Sequence, residues 1–295
     1  MAGTDSNKEN MMAADIISPD LVGQDFGETT RIWNDNQTML YAAGVGAQPG
    51  TELDFLYERR GPKVLPTFAV IPGMWAMGCI GKYINMPIAR MLHGEQSVEL
   101  FRPLPANGEI TMKGRLSEIW DKGPGKAAVF GAECMASDKD GPLFKTHSTL
   151  FFVGGGGFGG ERGPSTAQAN RAPDRAPDHV VEYQTRPDQG AIYRLSGDRV
   201  ALHIDPEFAR KAGYPDAFMH GLCTYGFAGR AILHTLCGGD PANFKSMTGR
   251  FADQVFYGDK IITQIWRTGP GEAIVQAITQ KGNVVLSQAA TTFKA

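Results

Sequence analysis

His220-Gly-Leu-Cys-Thr-Tyr-Gly-Phe-Ala-Gly-Arg-Ala-Ile-Leu-His-Thr-Leu-Cys237 is the stretch on which the fold turns. Small and large apolar residues occur nearly all round its helical projection, so it predicts a buried helix rather than one laid on a surface. Gly238-Gly239 stops it. Downstream, Phe256-Tyr-Gly-Asp-Lys-Ile261 reads as a turn that begins a strand, Ala273-Ile-Val-Gln-Ala-Ile278 as a second strand, and Gly282 as the turn into a last strand ending in Thr291-Thr-Phe293.

The first half of the chain repeats this order. Trp120-Asp-Lys-Gly-Pro-Gly125 answers Trp266-Arg-Thr-Gly-Pro-Gly271, and Pro105-Ala-Asn-Gly-Glu-Ile110 answers the turn at Phe256. Ala127-Ala-Val-Phe-Gly-Ala132, the turn at Gly141 and the run ending in Thr149-Leu-Phe-Phe152 match the later strands. Further upstream, Met91-Leu-His-Gly94 resembles Phe218-Met-His-Gly221, and Met74–Ile84, preceded by Pro72, offers a shorter apolar helix. Each half thus reads as a His-Gly element followed by three strands. A long helix and antiparallel strands, twice over, predict an α+β tandem hotdog: two curved antiparallel sheets, each wrapped around a central helix.

At 295 residues the chain is comfortable for two units of about 140–150 residues. The expected division is a disordered polar tail over 1–15, an N-terminal hotdog over 16–153, a linker over 154–178 and a C-terminal hotdog over 179–295. The linker begins Gly154-Gly-Gly-Gly-Phe-Gly-Gly160, and its Gly, Pro and Ser content cannot bury a core. No Lys-Ser/Thr follows the glycines, which argues against a phosphate loop. A net charge of −2 supplies no footprint for nucleic acid. No stretch approaches the ~18 apolar residues of a membrane span. Cys79, Cys134, Cys223 and Cys237 lack metal-ligand spacing and read as small buried side chains in a reducing compartment.

Chemistry concentrates in Tyr193–Ala209. Asp198 follows a Ser196-Gly197 turn and precedes His203 by five residues, while Asp205-Pro206 supplies a helix N-cap and first-turn proline. A carboxylate and an imidazole held on a short locked loop are the equipment of general acid–base catalysis. Spacing alone equally allows Asp198 as a turn residue and His203 as a satisfied core histidine. Gly221, if it opens the long helix, presents a backbone amide with no intrahelical partner at the positive end of the helix dipole. Such a donor suits an oxygen that gains charge in a transition state; close helix–sheet packing would need the same glycine. His234 and His147 read as core or surface residues, and Asp253 and Asp259 as turn and rim residues.

Taken together, these residues resemble the MaoC-type hydratase family, in particular its two-hotdog branch of (R)-specific 2-enoyl-CoA hydratase 2. The resemblance covers about residues 20–295 and rests on Ser196–Ala209, Met219–Gly226 and Arg250–Asp259 in the second half. In the first half it rests on Leu65–Gly73, Leu92–Gln96 and Phe101–Pro105. It implies that Asp198 and His203 are the catalytic pair, that the Gly221 amide donates to a thioester oxygen, and that His93, Gly94, Lys122 and Phe251 contact an acyl-CoA. The substrate would be a trans-2-enoyl-CoA of medium or long chain, hydrated to the (3R)-hydroxyacyl-CoA. No metal or redox cofactor is called for, CoA entering as part of the substrate. The first half would have lost the Asp/His pair and accommodate the acyl chain; no histidine occurs from Asp54 to Gly73.

The resemblance further implies a homodimer, peroxisomal in a eukaryote and cytoplasmic in a bacterium; the C-terminal Phe-Lys-Ala is not a Ser-Lys-Leu address. One position departs from the family pattern. Val200 stands where an Asn is usual, and its side chain cannot hydrogen-bond. That departure keeps open a non-catalytic acyl-CoA-binding subunit. Because sequence discriminates weakly between carriers, a hydratase or dehydratase acting on acyl-carrier-protein or polyketide thioesters stays open beside it. A thioesterase fits less well, because the helix from His220 to Cys237 carries no carboxylate.

Overall fold

A computed structural model of the chain describes residues 17–85, 87, 90–165 and 168–295. The tail expected over 1–15 lies outside these residues. The first half contributes β1 (Asp25–Trp33), α1 (Asp35–Gly44), α2 (Val70–Cys79), β2 (Met91–Leu100), β3 (Gly108–Asp121), β4 (Ala128–Asp138) and β5 (Gly141–Phe152). The second contributes β6 (His179–Gln184), α3 (Gln189–Tyr193), α4 (Pro206–Lys211), α5 (Gly221–Leu236), β7 (Phe244–Phe251), β8 (Lys260–Gly269), β9 (Glu272–Thr279) and β10 (Val284–Phe293).

All ten strands form one antiparallel sheet in the order β1-β3-β4-β5-β2-β7-β10-β9-β8-β6. Read outward from the β2–β7 junction, the two halves have the same strand order. The matching Trp-x-x-Gly-Pro-Gly segments lie at the β3–β4 and β8–β9 connections. Each half places a helix against its own strands, α2 on β3, β4 and β5, and α5 on β6, β7, β8 and β10. This is a tandem hotdog.

Two features of the repeat differ from expectation. Four strands follow each central helix, not three, and Met91-Leu-His-Gly94 belongs to the first of them. His93 and Gly94 therefore sit in β2, the counterpart of β7, whereas His220 and Gly221 sit at the start of α5. The tetrapeptides match by chance of composition, since a strand and a helix start place the same residues differently. The first central helix also begins earlier than Met74: a 3₁₀ turn at Pro66–Ala69 runs into Val70–Cys79. Pro72 is tolerated because it lies in the first turn, where its missing N–H has no intrahelical acceptor.

The halves are more entangled than their sequence order implies. Residues 41–67 of the first half wall in α5 of the second. A side chain at Gly226 would collide with Val45 and Tyr41, and one at Gly229 with Thr67. Cys223 donates from Sγ to the Gly44 carbonyl at 3.4 Å. At the centre of this contact Arg230 and Glu52 are both almost wholly buried and paired through both carboxylate oxygens. Arg230 also donates to the Val45 carbonyl at 2.8 Å, and His234 to Glu52 at 2.8 Å.

The glycine tract is ordered by one carboxylate. Asp121 at the end of β3 accepts from the amides of Gly123, Gly157 and Gly159 at 2.7–2.8 Å, so the tract folds back onto the β3–β4 connection.

Candidate active site

Asp198 and His203 are brought to one point by local turns. Gly197 takes a φ of 142°, open to glycine and strained for other residues, and reverses the chain after the 3₁₀ turn Arg194–Ser196. Val200 then starts a second 3₁₀ turn ending at His203, and its amide donates to Asp198 Oδ1 at 3.2 Å. Asp205 caps α4 by accepting from Glu207 and Phe208, with Pro206 at the first helical position. The loop is thus fixed at both ends.

The tautomer of His203 follows from its partner. Nδ1 lies 2.9 Å from the Phe218 carbonyl, which can only accept, so Nδ1 carries the proton and Nε2 keeps its lone pair. Tyr257 donates to the carbonyls of His203 at 2.6 Å and Phe218 at 3.1 Å, tying both segments together.

His220, whose side chain no sequence pattern singled out, completes the cluster. Its ring packs against that of His203 at a tilt of 32° with centroids 4.0 Å apart, and on its Tyr193 side the centroids are 4.9 Å apart. Its Nε2 donates to the Asp198 carbonyl at 3.1 Å, which leaves Nδ1 buried and without a hydrogen bond. One side-chain atom from each of Asp198, His203 and His220 lies within 4.8 Å of the other two. Burial holds the His203 imidazole below its ordinary value of 6.5, against the opposing pull of the Phe218 carbonyl and Asp198. His220 is pushed down to about 3 by burial and by neighbouring His203. Both rings are therefore neutral at pH 7, and His203 is competent to accept a proton.

Gly221 begins α5 as expected. As the first residue of the helix, its amide has no intrahelical acceptor, and the positive end of the dipole faces the cluster. A Cβ at Gly221 would come within 3.1 Å of the Phe251 ring and press it back by a few tenths of an ångström.

The remaining expected contacts divide. Phe251 packs edge-on against His93 with centroids 5.1 Å apart. The Nε2 of His93 is buried without a partner, burial pushes this imidazole down to about 4, and Asp198 is close enough to oppose that shift. His93 and Phe251 thus join the cluster from β2 and β7. Gly94 instead faces Phe151, whose ring would meet a Cβ at 2.2 Å. Lys122 lies at the end of β3 and donates to the Arg162 carbonyl at 2.7 Å; among the described residues no contact joins it to the cluster. Val200 is exposed beside the pair. A cleft between the halves opens at Ser196, two residues from Asp198, with Trp33, Phe68, Ile71 and Pro72 on its other wall.

Of the other histidines, His147 meets Ser117 on β3 at 3.0 Å, and His234 belongs to the Glu52–Arg230 network. Asp259 accepts from Phe256 and Gln280, and Asp253 from Gln254 and Asn283, in turns. The four cysteines are buried and free.

An acid and a neutral base drawn together, with the first amide of a helix directly after His220 of the same cluster, define a site for proton transfer beside a polarised carbonyl. Comparison with known proteins fits this class. Residues 32–154 match the MFE-2 hydratase 2 N-terminal domain and residues 168–291 the MaoC-like domain. The chain is 44% identical to 3-hydroxyacyl-thioester dehydratase Y of Mycobacterium tuberculosis, over 88% of this chain and 90% of that one. It is 35% identical to the peroxisomal enoyl-CoA hydratase 2 of Arabidopsis thaliana, over 90% and 92%. A crystal structure of a MaoC-like dehydratase from Phytophthora capsici superposes with a TM-score of 0.84 at 33% identity, covering 94% and 98%. The chain belongs to the MaoC-like hydratase 2 family.

Proposed function

We propose that this protein catalyses the reversible hydration of trans-2-enoyl-CoA to (3R)-hydroxyacyl-CoA in fatty-acid β-oxidation, a hydro-lyase reaction carried by Asp198 and His203. The observation that supports it most is the convergence of that pair, with His203 Nε2 unprotonated, next to the helix start at Gly221, whose amide has no intrahelical acceptor. Water held between the carboxylate and His203 delivers its oxygen to C3 and gives up one proton to the pair. The pair returns a proton to C2 on the same face, so H and OH are added and both residues regain their starting states. Between these events the thioester oxygen carries enolate charge, which the Gly221 amide and the helix dipole stabilise. His93 and Phe251 exclude bulk water around that oxygen, which strengthens the interaction.

The acyl tail of a medium or long chain enters the cleft between Ser196 and the wall of Trp33, Phe68 and Ile71. The CoA moiety is part of the substrate, and the residues proposed here need no metal or redox cofactor. Lys122 has no role in this reading. Homodimerisation, and a peroxisomal site in a eukaryote or a cytoplasmic one in a bacterium, belong to the same proposal.

A second reading keeps the chemistry and changes its direction or carrier: dehydration of a 3-hydroxyacyl thioester, on CoA or an acyl-carrier protein. The 44% identity to 3-hydroxyacyl-thioester dehydratase Y favours retaining it. Parallel assays with the CoA and carrier-protein forms of one acyl group separate the carriers, because turnover of the CoA form alone supports the first reading and rejects an acyl-carrier-protein substrate.

A further inference from the structure

We propose that Asp198, His203 and His220 form a binding site for a divalent transition metal, Zn²⁺, which takes the place of the reacting water and shuts the centre down. The statement about shutdown rests on the hydratase reading; the metal site does not.

One side-chain donor atom from each residue lies within 4.8 Å of the others. Imidazole nitrogen and carboxylate oxygen bind Zn²⁺ at ~2.0–2.2 Å, which sets neighbouring ligands of a tetrahedral ion ~3.3 Å apart. Closing each gap asks for movements of about 1.5 Å at most, within reach of side-chain rotation. Two neutral nitrogens and one carboxylate select Zn²⁺ over the hard, oxygen-seeking Mg²⁺ and Ca²⁺.

The hydrogen bonds around the site are those a metal centre needs. A metal-bound histidine donates its other N–H to a carbonyl or carboxylate, which orients the ring and leaves a lone pair for the ion. His203 does so to the Phe218 carbonyl and His220 to the Asp198 carbonyl. The second, independent observation is His220 Nδ1: the residue is 1% exposed, and this nitrogen is buried with no hydrogen-bond partner. A buried acceptor left empty is costly, and a bound cation satisfies it. An ion held by Asp198 and His203 fills the space between them that the reacting water needs and ties up the lone pairs that would take its proton, so metal and water compete for one position.

Titration of Co²⁺ into the chelator-treated full-length protein tests this through the visible ligand-field absorption of a low-coordinate cobalt site. The expected result is one Co²⁺ per chain, displaced by Zn²⁺. Binding should weaken at least about tenfold in Asp198→Asn and in His220→Gln, each checked for native circular dichroism. No absorption at one equivalent in folded protein, or absorption unchanged in both variants, would overturn the site. One equivalent of Zn²⁺ should abolish enoyl-CoA turnover and a chelator restore it; full turnover with the site occupied contradicts the shutdown. Metal binding in a protein that turns over no thioester would uphold the site and reject the hydratase reading instead.

Discussion

Glu52 and Arg230, 178 positions apart, form a bidentate ion pair with almost no solvent access, and it fastens the first half of the chain onto the central helix of the second. Arg230 also lies over the Tyr183 ring, 4.2 Å from its centroid. Arg230 sits on the helix whose first residue is Gly221, so the pair ties Glu52 of the first half to the element that opens at the site.

Removing one partner leaves the other charge buried without compensation. Glu52→Gln is expected to destabilise the fold by about 3–5 kcal/mol, read as a lower denaturant midpoint at unchanged slope. A loss under about 1 kcal/mol would show that the network adds little.

The same carboxylate makes stability depend on pH. Burial alone would raise it, but hydrogen bonds from His234 and Arg230 outweigh burial and bring it from an ordinary 4.5 down to about 2. A depressed carboxyl stabilises the fold above its unfolded value, and the contribution is lost as pH falls from about 4.5 towards 2. Denaturant midpoints across that window should fall more steeply for the native protein than for Glu52→Gln.

Exchange of Asp198 for Asn or His203 for Ala should cost about 10²–10⁴ in kcat, with the unfolding transition unmoved. Because burial depresses His203, its base form persists below pH 6.5, and the acid limb of kcat/KM for this group is expected below that value. An acid limb at or above 6.5 would place proton acceptance elsewhere.

Val200→Asn restores an amide beside Asp198. If a positioning hydrogen bond is missing, the variant gains roughly tenfold or more in kcat. An unchanged rate would show that the exposed Val200 side chain is irrelevant to turnover.

Much of this was readable from the chain. The buried helix at Gly221, the Trp-x-x-Gly-Pro-Gly repeat and the Asp205-Pro206 helix start are local signals, written in spacing and turn residues, and the structure has each where local physics puts it. What escaped depends on contacts distant in sequence. His220 reads as the neighbour of a useful glycine, and only the fold reveals its ring packed against His203. Glu52 carries no local sign that it meets an arginine in the other half. The glycine tract looks like a free linker because composition cannot show Asp121 collecting its amides. His93-Gly94 misled as a motif, since a tetrapeptide match ignores whether its residues lie in a strand or at a helix start.

The hydratase assignment is tested by incubating the purified protein with crotonyl-CoA and trans-2-decenoyl-CoA, following loss of the conjugated enoyl absorbance and resolving the product on a chiral phase. Turnover to the (3R)-hydroxyacyl-CoA is expected, faster with the longer chain and slowed about 10²–10⁴-fold in Asp198→Asn. Formation of the (3S) alcohol, or no turnover by folded protein that still binds the thioester, would contradict it.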